Sequence, residues 1–132
     1  MERIASFRDL EVYQGTYKGC IEVVTRIIPT IPDFEKNDLK SQLRHSVKAI
    51  PGLIAEGYPK KHQKHGFQKC LDDAMGECNE TIAGLEQCRD LYGQTVDKRL
   101  CEQVIDLYDK SRRQLYNLSS AWNKFKNDKR DL

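Results

Sequence analysis

Apolar positions recur at intervals of three and four along nearly the whole chain. The first series is Leu10, Tyr13, Tyr17, Cys20, Ile21, Val24, Ile27 and Ile28, a spacing that lines one stripe of an α-helix rather than one face of a strand. Ser6 offers an N-cap and Asp9 a first-turn acid, and Pro29 and Pro32 end the run, so a helix is expected over about 7–28. A second stripe, Leu39, Leu43, Val47, Ile50 and Ile54, falls within about 80° of a helical wheel. It predicts a helix over about 38–56, with Gly57 as C-cap and Pro59 as stop. Pro51 lies inside that helix, where it removes one backbone hydrogen bond and predicts a kink costing about 3 kcal/mol unless packing compensates. The third stripe is Phe67, Cys70, Leu71, Ala74, Cys78, Ile82, Leu85, Cys88 and Tyr92, over about 63–92 with Gly93 as cap. The fourth is Leu100, Val104, Leu107, Tyr108, Leu115, Leu118, Trp122 and Phe125, over about 97–126. No strand pattern or internal repeat competes. Short second and third connections predict an all-α fold, an antiparallel up-down-up-down four-helix bundle forming one domain over residues 1–132.

Composition narrows the class without naming a function. With 32% charged and 39% hydrophobic residues, the chain is neither membrane-spanning nor disordered by composition. Its longest mostly apolar stretch, Ala49 to Ala55, is broken by Pro51 and Gly52. No apolar stretch near the N-terminus reads as a secretory signal, and five unpaired cysteines fit reduced thiols, so a cytoplasmic protein is expected.

Charge is more informative than composition. Residues 39–70 hold Lys40, Arg44, Lys48, Lys60, Lys61, Lys64 and Lys69 against Glu56 alone, a net of +6, and contain all three histidines. Residues 71–109 reverse to −7, residues 110–132 return to +5, and residues 1–38 carry −2. Blocks this polarised attract a polyanion on one face, or copies of the same chain through opposite faces.

Enzymatic constellations are missing from the pattern. A di-metal site in a helical bundle uses Glu-x-x-His pairs, and no glutamate here has a histidine three residues later. His62 and His65 are three apart but have no acid or cysteine beside them. Cys70, Cys78 and Cys88 lie on the apolar stripe of the third helix and are expected to pack as small hydrophobes. No Gly-rich phosphate loop follows a strand. The expectation is therefore no catalysis, no metal, no cofactor and no small-molecule substrate.

The candidate surface is basic. Lys40, Arg44 and Lys48 repeat at every fourth residue beside the second stripe, and Lys60, Lys61, His62, Lys64 and His65 follow in the connection, with Tyr58 as the nearest aromatic able to stack on a base. Together they suit phosphate contacts. On the third helix Asp73, Glu77 and Glu80 form an acidic row, which pairs with the basic row within the chain, between subunits, or not at all. Glu56 is an acid in the last turn of a helix, against the dipole, and calls for a lysine or arginine partner or a hydrogen bond to the following loop.

The run Gln42-Leu43-Arg44-His45-Ser46-Val47-Lys48-Ala49-Ile50-Pro51-Gly52-Leu53-Ile54-Ala55-Glu56-Gly57 resembles the signature of the bacterial four-helix bundle proteins encoded in 23S rRNA intervening sequences. Phe7-Arg8-Asp9-Leu10-Glu11-Val12-Tyr13 and Ala74-Met75-Gly76-Glu77-Cys78-Asn79-Glu80-Thr81 are similar to that family's opening and third-helix motifs. The likeness spans about residues 6–92. Leu53 stands in place of a usual asparagine, Tyr13 of tryptophan, and Glu77 of a small serine. The chain is also similar to the accessory protein of diversity-generating retroelements, a basic pentamer that binds nucleic acid and a reverse transcriptase. The resemblance implies a non-enzymatic bundle assembling as a ring, typically a homopentamer, and associating with RNA or a ribonucleoprotein. A purely structural assembly or adaptor module is the alternative. The charge blocks favour head-to-tail contact, and Tyr13, Tyr17 and Trp122 exceed what a slim four-helix core encloses.

Overall fold

The computed structural model describes residues 4–63 and 65–130, the side chains of 123–130 excepted. Four long helices carry the fold: α1 (Glu11–Glu22), α2 (Leu39–Gly57), α3 (Gly66–Leu91) and α4 (Lys98–Arg130). α1 packs against α2 and α4, and α3 against the same two helices. The stripes of α2, α3 and α4 meet in one core that includes Leu43, Ile50, Leu71, Leu85, Tyr108 and Leu115. Helix α1 instead buries Val12, Thr16, Gly19 and, in its extension, Val23, and leaves Tyr17 and Ile21 of its expected stripe exposed. There is no strand among the described residues, and no helix among them is long and apolar enough to cross a membrane.

The first helix begins and ends differently from its pattern. The Ser6 hydroxyl accepts from the Arg8 N–H at 3.1 Å, while Asp9 Oδ2 accepts from the Ala5 and Ser6 N–H groups at 2.8 and 2.9 Å. Those two donors hold the Asp9 carboxyl below its ordinary range. This capping box closes only a 3-10 turn, Phe7–Asp9, because Leu10 is extended and α1 starts at Glu11. At its far end α1 passes into a π-helical turn, Val23–Ile27, and then a 3-10 turn, Ile28–Thr30. A π-helical turn rotates less per residue than an α-helical one, so Val23, Ile27 and Ile28 all reach the core. Continued α-helical rotation from the buried face of Val12, Thr16 and Val23 would carry Ile28 away from the core, although Ile28 closes the expected stripe.

The connection to α2 is pinned to the connection that follows α3. Tyr92, just past α3, donates to Glu35 Oε2 at 2.5 Å, and the Phe34 ring meets the Tyr92 ring edge-on at 5.8 Å. α2 then runs through a buried Pro51 without ending. Between α2 and α3 the Thr81 hydroxyl donates to Ser46 Oγ at 2.8 Å, and Ser46 donates to the Leu43 carbonyl at 3.3 Å. Both hydroxyls are buried, so this chain satisfies groups that would otherwise lose their water without compensation.

Neither expected glycine cap behaves as one. Gly57 has φ −75° and ψ −31°, and the backbone continues into a 3-10 turn, Tyr58–His62. Gly57 is required by packing instead: a Cβ there would lie 2.6 Å from Cys70 Cβ on α3. Gly93 is not left-handed either, and the helix it was expected to cap ends at Leu91. The left-handed residue is His65 (φ 67°), which reverses the chain immediately before α3, so that helix starts at Gly66 rather than 63. The Asp97 carboxylate accepts from the Leu100 N–H at 3.1 Å and opens α4.

Candidate nucleic-acid interface

The basic row on α2 does not act as one face. Residues four apart on an α-helix advance by about 400°, so each step drifts about 40° around the axis. Lys40 therefore lies close to the core edge, with its side chain 13% exposed and its Nζ 3.4 Å from Asp33 Oδ1. Arg44 and Lys48, further round, are exposed and make no ion pair among the described residues.

Local pairing also trims the basic connection. Lys60 Nζ sits 3.2 Å from Glu56 Oε1, one helical turn back, which gives Glu56 the cation its position against the dipole calls for. Lys61 Nζ rests 4.0 Å from the centre of the Tyr58 ring, and Phe67 meets the same ring edge-on. Tyr58 thus has one face taken by a cation, which removes it as an open stacking platform. His62 and His65 are exposed. Lys64 lies outside the described residues. The candidates form a line: Arg44 to Gly57 alone covers about 20 Å of helix at 1.5 Å per residue. Such a line follows a phosphate backbone better than it encloses a small ligand.

A groove of about 870 Å³ on the outer side of α2 and α3 has the opposite character. His45, Gly52, Glu56, Asp73, Glu77 and Glu80 line it. Burial pushes the Glu77 carboxyl up, and Glu80, hydrogen-bonded and like-charged beside it, pushes the same way, while His45 opposes both. No ion pair among the described residues joins Lys40, Arg44 or Lys48 to Asp73, Glu77 or Glu80. The α2 face turned toward this groove carries His45, and the basic row faces elsewhere. The carboxylates on this side repel phosphate, whereas Lys48 lines the groove on the flank nearer α1.

On that flank an aromatic cluster gathers that the stripe pattern did not resolve. Phe7 meets Tyr13 edge-on at 4.9 Å, and Tyr13 and Tyr17 stack at 5.9 Å with 29° between their planes. The Arg8 guanidinium lies 4.5 Å from the Phe7 ring centre. Tyr17 is 52% exposed. The third aromatic expected to be surplus, Trp122, instead packs edge-on against Phe67 at 5.7 Å and is partly buried. Its aromatic neighbour lies at the start of α3, a tertiary contact that α4's own spacing does not reveal. The sequence signals for the cluster were the four-residue interval between Tyr13 and Tyr17 and the surplus of aromatics over what the core encloses.

The cysteines behave as core. Cys70, Cys78, Cys88 and Cys101 are buried and Cys20 is half-buried. Burial pushes the Cys78 and Cys88 thiols up to about 12 and that of Cys101 to about 11. No group of three His, Cys, Asp or Glu side chains among the described residues could hold a metal ion.

Residues 8–118 match the family model of the 23S rRNA-intervening sequence protein. The chain belongs to that family. The match takes in α1, α2, α3 and most of α4, and with them every basic candidate from Lys40 to His65. As a member of the 23S rRNA-intervening sequence protein family, the chain carries the helical fold its sequence motifs implied. No curated protein matches it.

Proposed function

We propose that this family member is a non-catalytic, self-associating protein, folded as an antiparallel up-down-up-down four-helix bundle, that binds structured RNA or a ribonucleoprotein in the cytoplasm. The observation that carries the reading is the exposed pair Arg44 and Lys48, without ion pairs among the described residues, on the flank away from the acidic groove. Lys60, Lys61, His62 and His65 follow beyond α2, and Lys64, outside the described residues, belongs to the same basic run of the sequence. Lys40 takes a lesser part, since Asp33 already partners it. The antiparallel order is supported by the short connections after α2 and α3 and by each helix packing against its chain neighbours. Phosphate contacts of this kind give affinity with little sequence discrimination. Binding of a hairpin RNA measured against salt tests it. About four phosphate contacts predict a slope of log K on log salt near −4, and a slope near zero defeats the proposal.

A second reading is favoured by a different observation. The basic row of α2 and the acidic row of α3 leave each other unpaired within the chain, and Ile21 on α1 is 49% exposed. Head-to-tail contact between copies would join the charged rows and cover Ile21, and the family resemblance sets the ring at five subunits. In this reading the charge serves assembly alone. Substituting Lys60, Lys61 and Lys64 by glutamine separates the two: loss of RNA affinity with the oligomer intact in light scattering supports the first, and the reverse supports the second.

A further inference from the structure

The two sides of α2 differ in what they can accept. Toward α3 the surface is a carboxylate-lined groove. Toward α1 lies a smaller groove of about 310 Å³, walled by Tyr13 and Tyr17, with Gly52 and Ala55 opposite, Pro51 beside them and Lys48 at its rim. No aspartate or glutamate lines it. Gly52 leaves its side open, since a Cβ there would meet nothing within 4 Å. Tyr17 stacks on Tyr13 and is about half exposed. An open aromatic wall, an opposite wall of small residues and one cation are the parts needed to hold a flat ring whose substituent is anionic.

We propose that this α1–α2 groove is a stacking site for one unpaired base of a bound RNA, with Lys48 contacting the phosphate beside it. The occupant follows from charge complementarity. Lys48 makes no ion pair among the described residues, Arg8 sits at the same cluster, and the acids that would repel a phosphate line the neighbouring groove, which shares only Gly52 with this one. The Lys48 ammonium is also close enough to Cys20, another groove residue, to oppose the upward push that burial gives its thiol. The site deepens the RNA reading and rests on it. It adds a preference that phosphate contacts lack: RNA with an unpaired, extrudable base over a continuous duplex, where bases are stacked and shielded.

The test compares the full-length protein on two probes of equal length. One is an RNA hairpin carrying 2-aminopurine in its loop, and the other is a fully paired RNA duplex. The hairpin should bind about tenfold more tightly, with quenching of the 2-aminopurine emission. Tyr17→Ala should abolish the quenching and bring hairpin affinity down to the level of the duplex, and Tyr17→Trp should retain both the preference and the quenching. Circular dichroism of each variant verifies that the helices persist. If Tyr17→Ala leaves the hairpin preference intact, the stacking site is wrong and the phosphate reading survives. If neither probe binds, both fall. If Tyr17→Ala dissociates the oligomer and leaves RNA affinity untouched, the groove is a subunit contact and the proposal is overturned.

Discussion

Substituting Gly57 by alanine sets helix propensity against packing, and the structure decides the winner. An ideal Cβ at Gly57 would stand 2.6 Å from Cys70 Cβ, 3.2 Å from Cys70 Sγ and 3.2 Å from Phe67 Cδ1. Carbon atoms rest at about 3.5–4.0 Å, so α2 and α3 must part by about 1 Å at this crossing. Cys70 Cβ is fixed to its backbone and cannot swing aside. Overpacking of this kind costs about 1–3 kcal/mol, whereas alanine gains at most about 1 kcal/mol over glycine in a helix. The expected net loss is about 1–2 kcal/mol. For a chain of this length 1 kcal/mol corresponds to about 4 °C, so Tm should fall by about 4–8 °C. Gly76, on the exposed side of α3 with nothing within 4 Å of its would-be Cβ, is the control. Gly76→Ala should raise Tm by about 2–4 °C. Thermal unfolding followed by far-ultraviolet circular dichroism reads both. Combining Gly57→Ala with Cys70→Gly, which deletes the opposing Cβ, should recover about 1 kcal/mol or more of coupling in a double-mutant cycle. A Gly57→Ala protein as stable as the parent, or a cycle with no coupling, would refute close helix approach as the reason for glycine here.

Two further outcomes follow from buried groups. The Tyr108 hydroxyl is buried without a hydrogen-bond partner among the described residues, so Tyr108→Phe should be neutral or stabilise by about 1 kcal/mol in urea unfolding, and a loss above 1 kcal/mol would contradict an unsatisfied hydroxyl. The folded protein holds the Cys78 and Cys88 protons up to about 12, whereas the unfolded chain releases them from about 9. Above pH 9 the unfolded state thus binds fewer protons, and stability should fall as pH rises, by about 1.4 kcal/mol per pH unit for each thiol. A urea midpoint that stays flat from pH 8 to 10 would contradict this, as would rapid labelling of Cys78 by a thiol reagent in the native protein.

The long helices were legible because burial follows a 3.6-residue period, and the stripes through Leu43, Leu71 and Val104 are core in the structure. What the sequence concealed depends on tertiary approach. Gly57 looked like a cap because glycine before proline is common at helix ends, yet the constraint comes from Cys70, thirteen residues away on another helix. The left-handed turn fell to His65, whose residue type gives only a faint signal for it. On the candidate surface the residues were legible but their availability was not. The drift of an every-fourth-residue row takes Lys40 toward the core while Arg44 and Lys48 stay outside, and Glu56 claims Lys60. The α1–α2 groove was hidden for another reason: the expected bundle sets α1 beside α2, but α1 buries Val12, Thr16 and Gly19 rather than the stripe through Tyr13 and Tyr17, and only that rotation leaves the two tyrosines to wall a groove.

The π-helical turn at Val23–Ile27 also bears on how chains of this family should be aligned. Such a turn is, in effect, one residue inserted into an α-helix, with the surplus absorbed by a widened loop of backbone. Thr25 and Arg26 sit on its exposed side, where an extra residue displaces nothing buried. A relative one residue shorter in this stretch can run straight α-helix and still deliver the same apolar side chains to the core. The gap in an alignment then belongs inside a helix, at Thr25 or Arg26, and pushing it into the proline-bounded connection would misregister Ile27, Ile28 and Ile31, all three of which are buried.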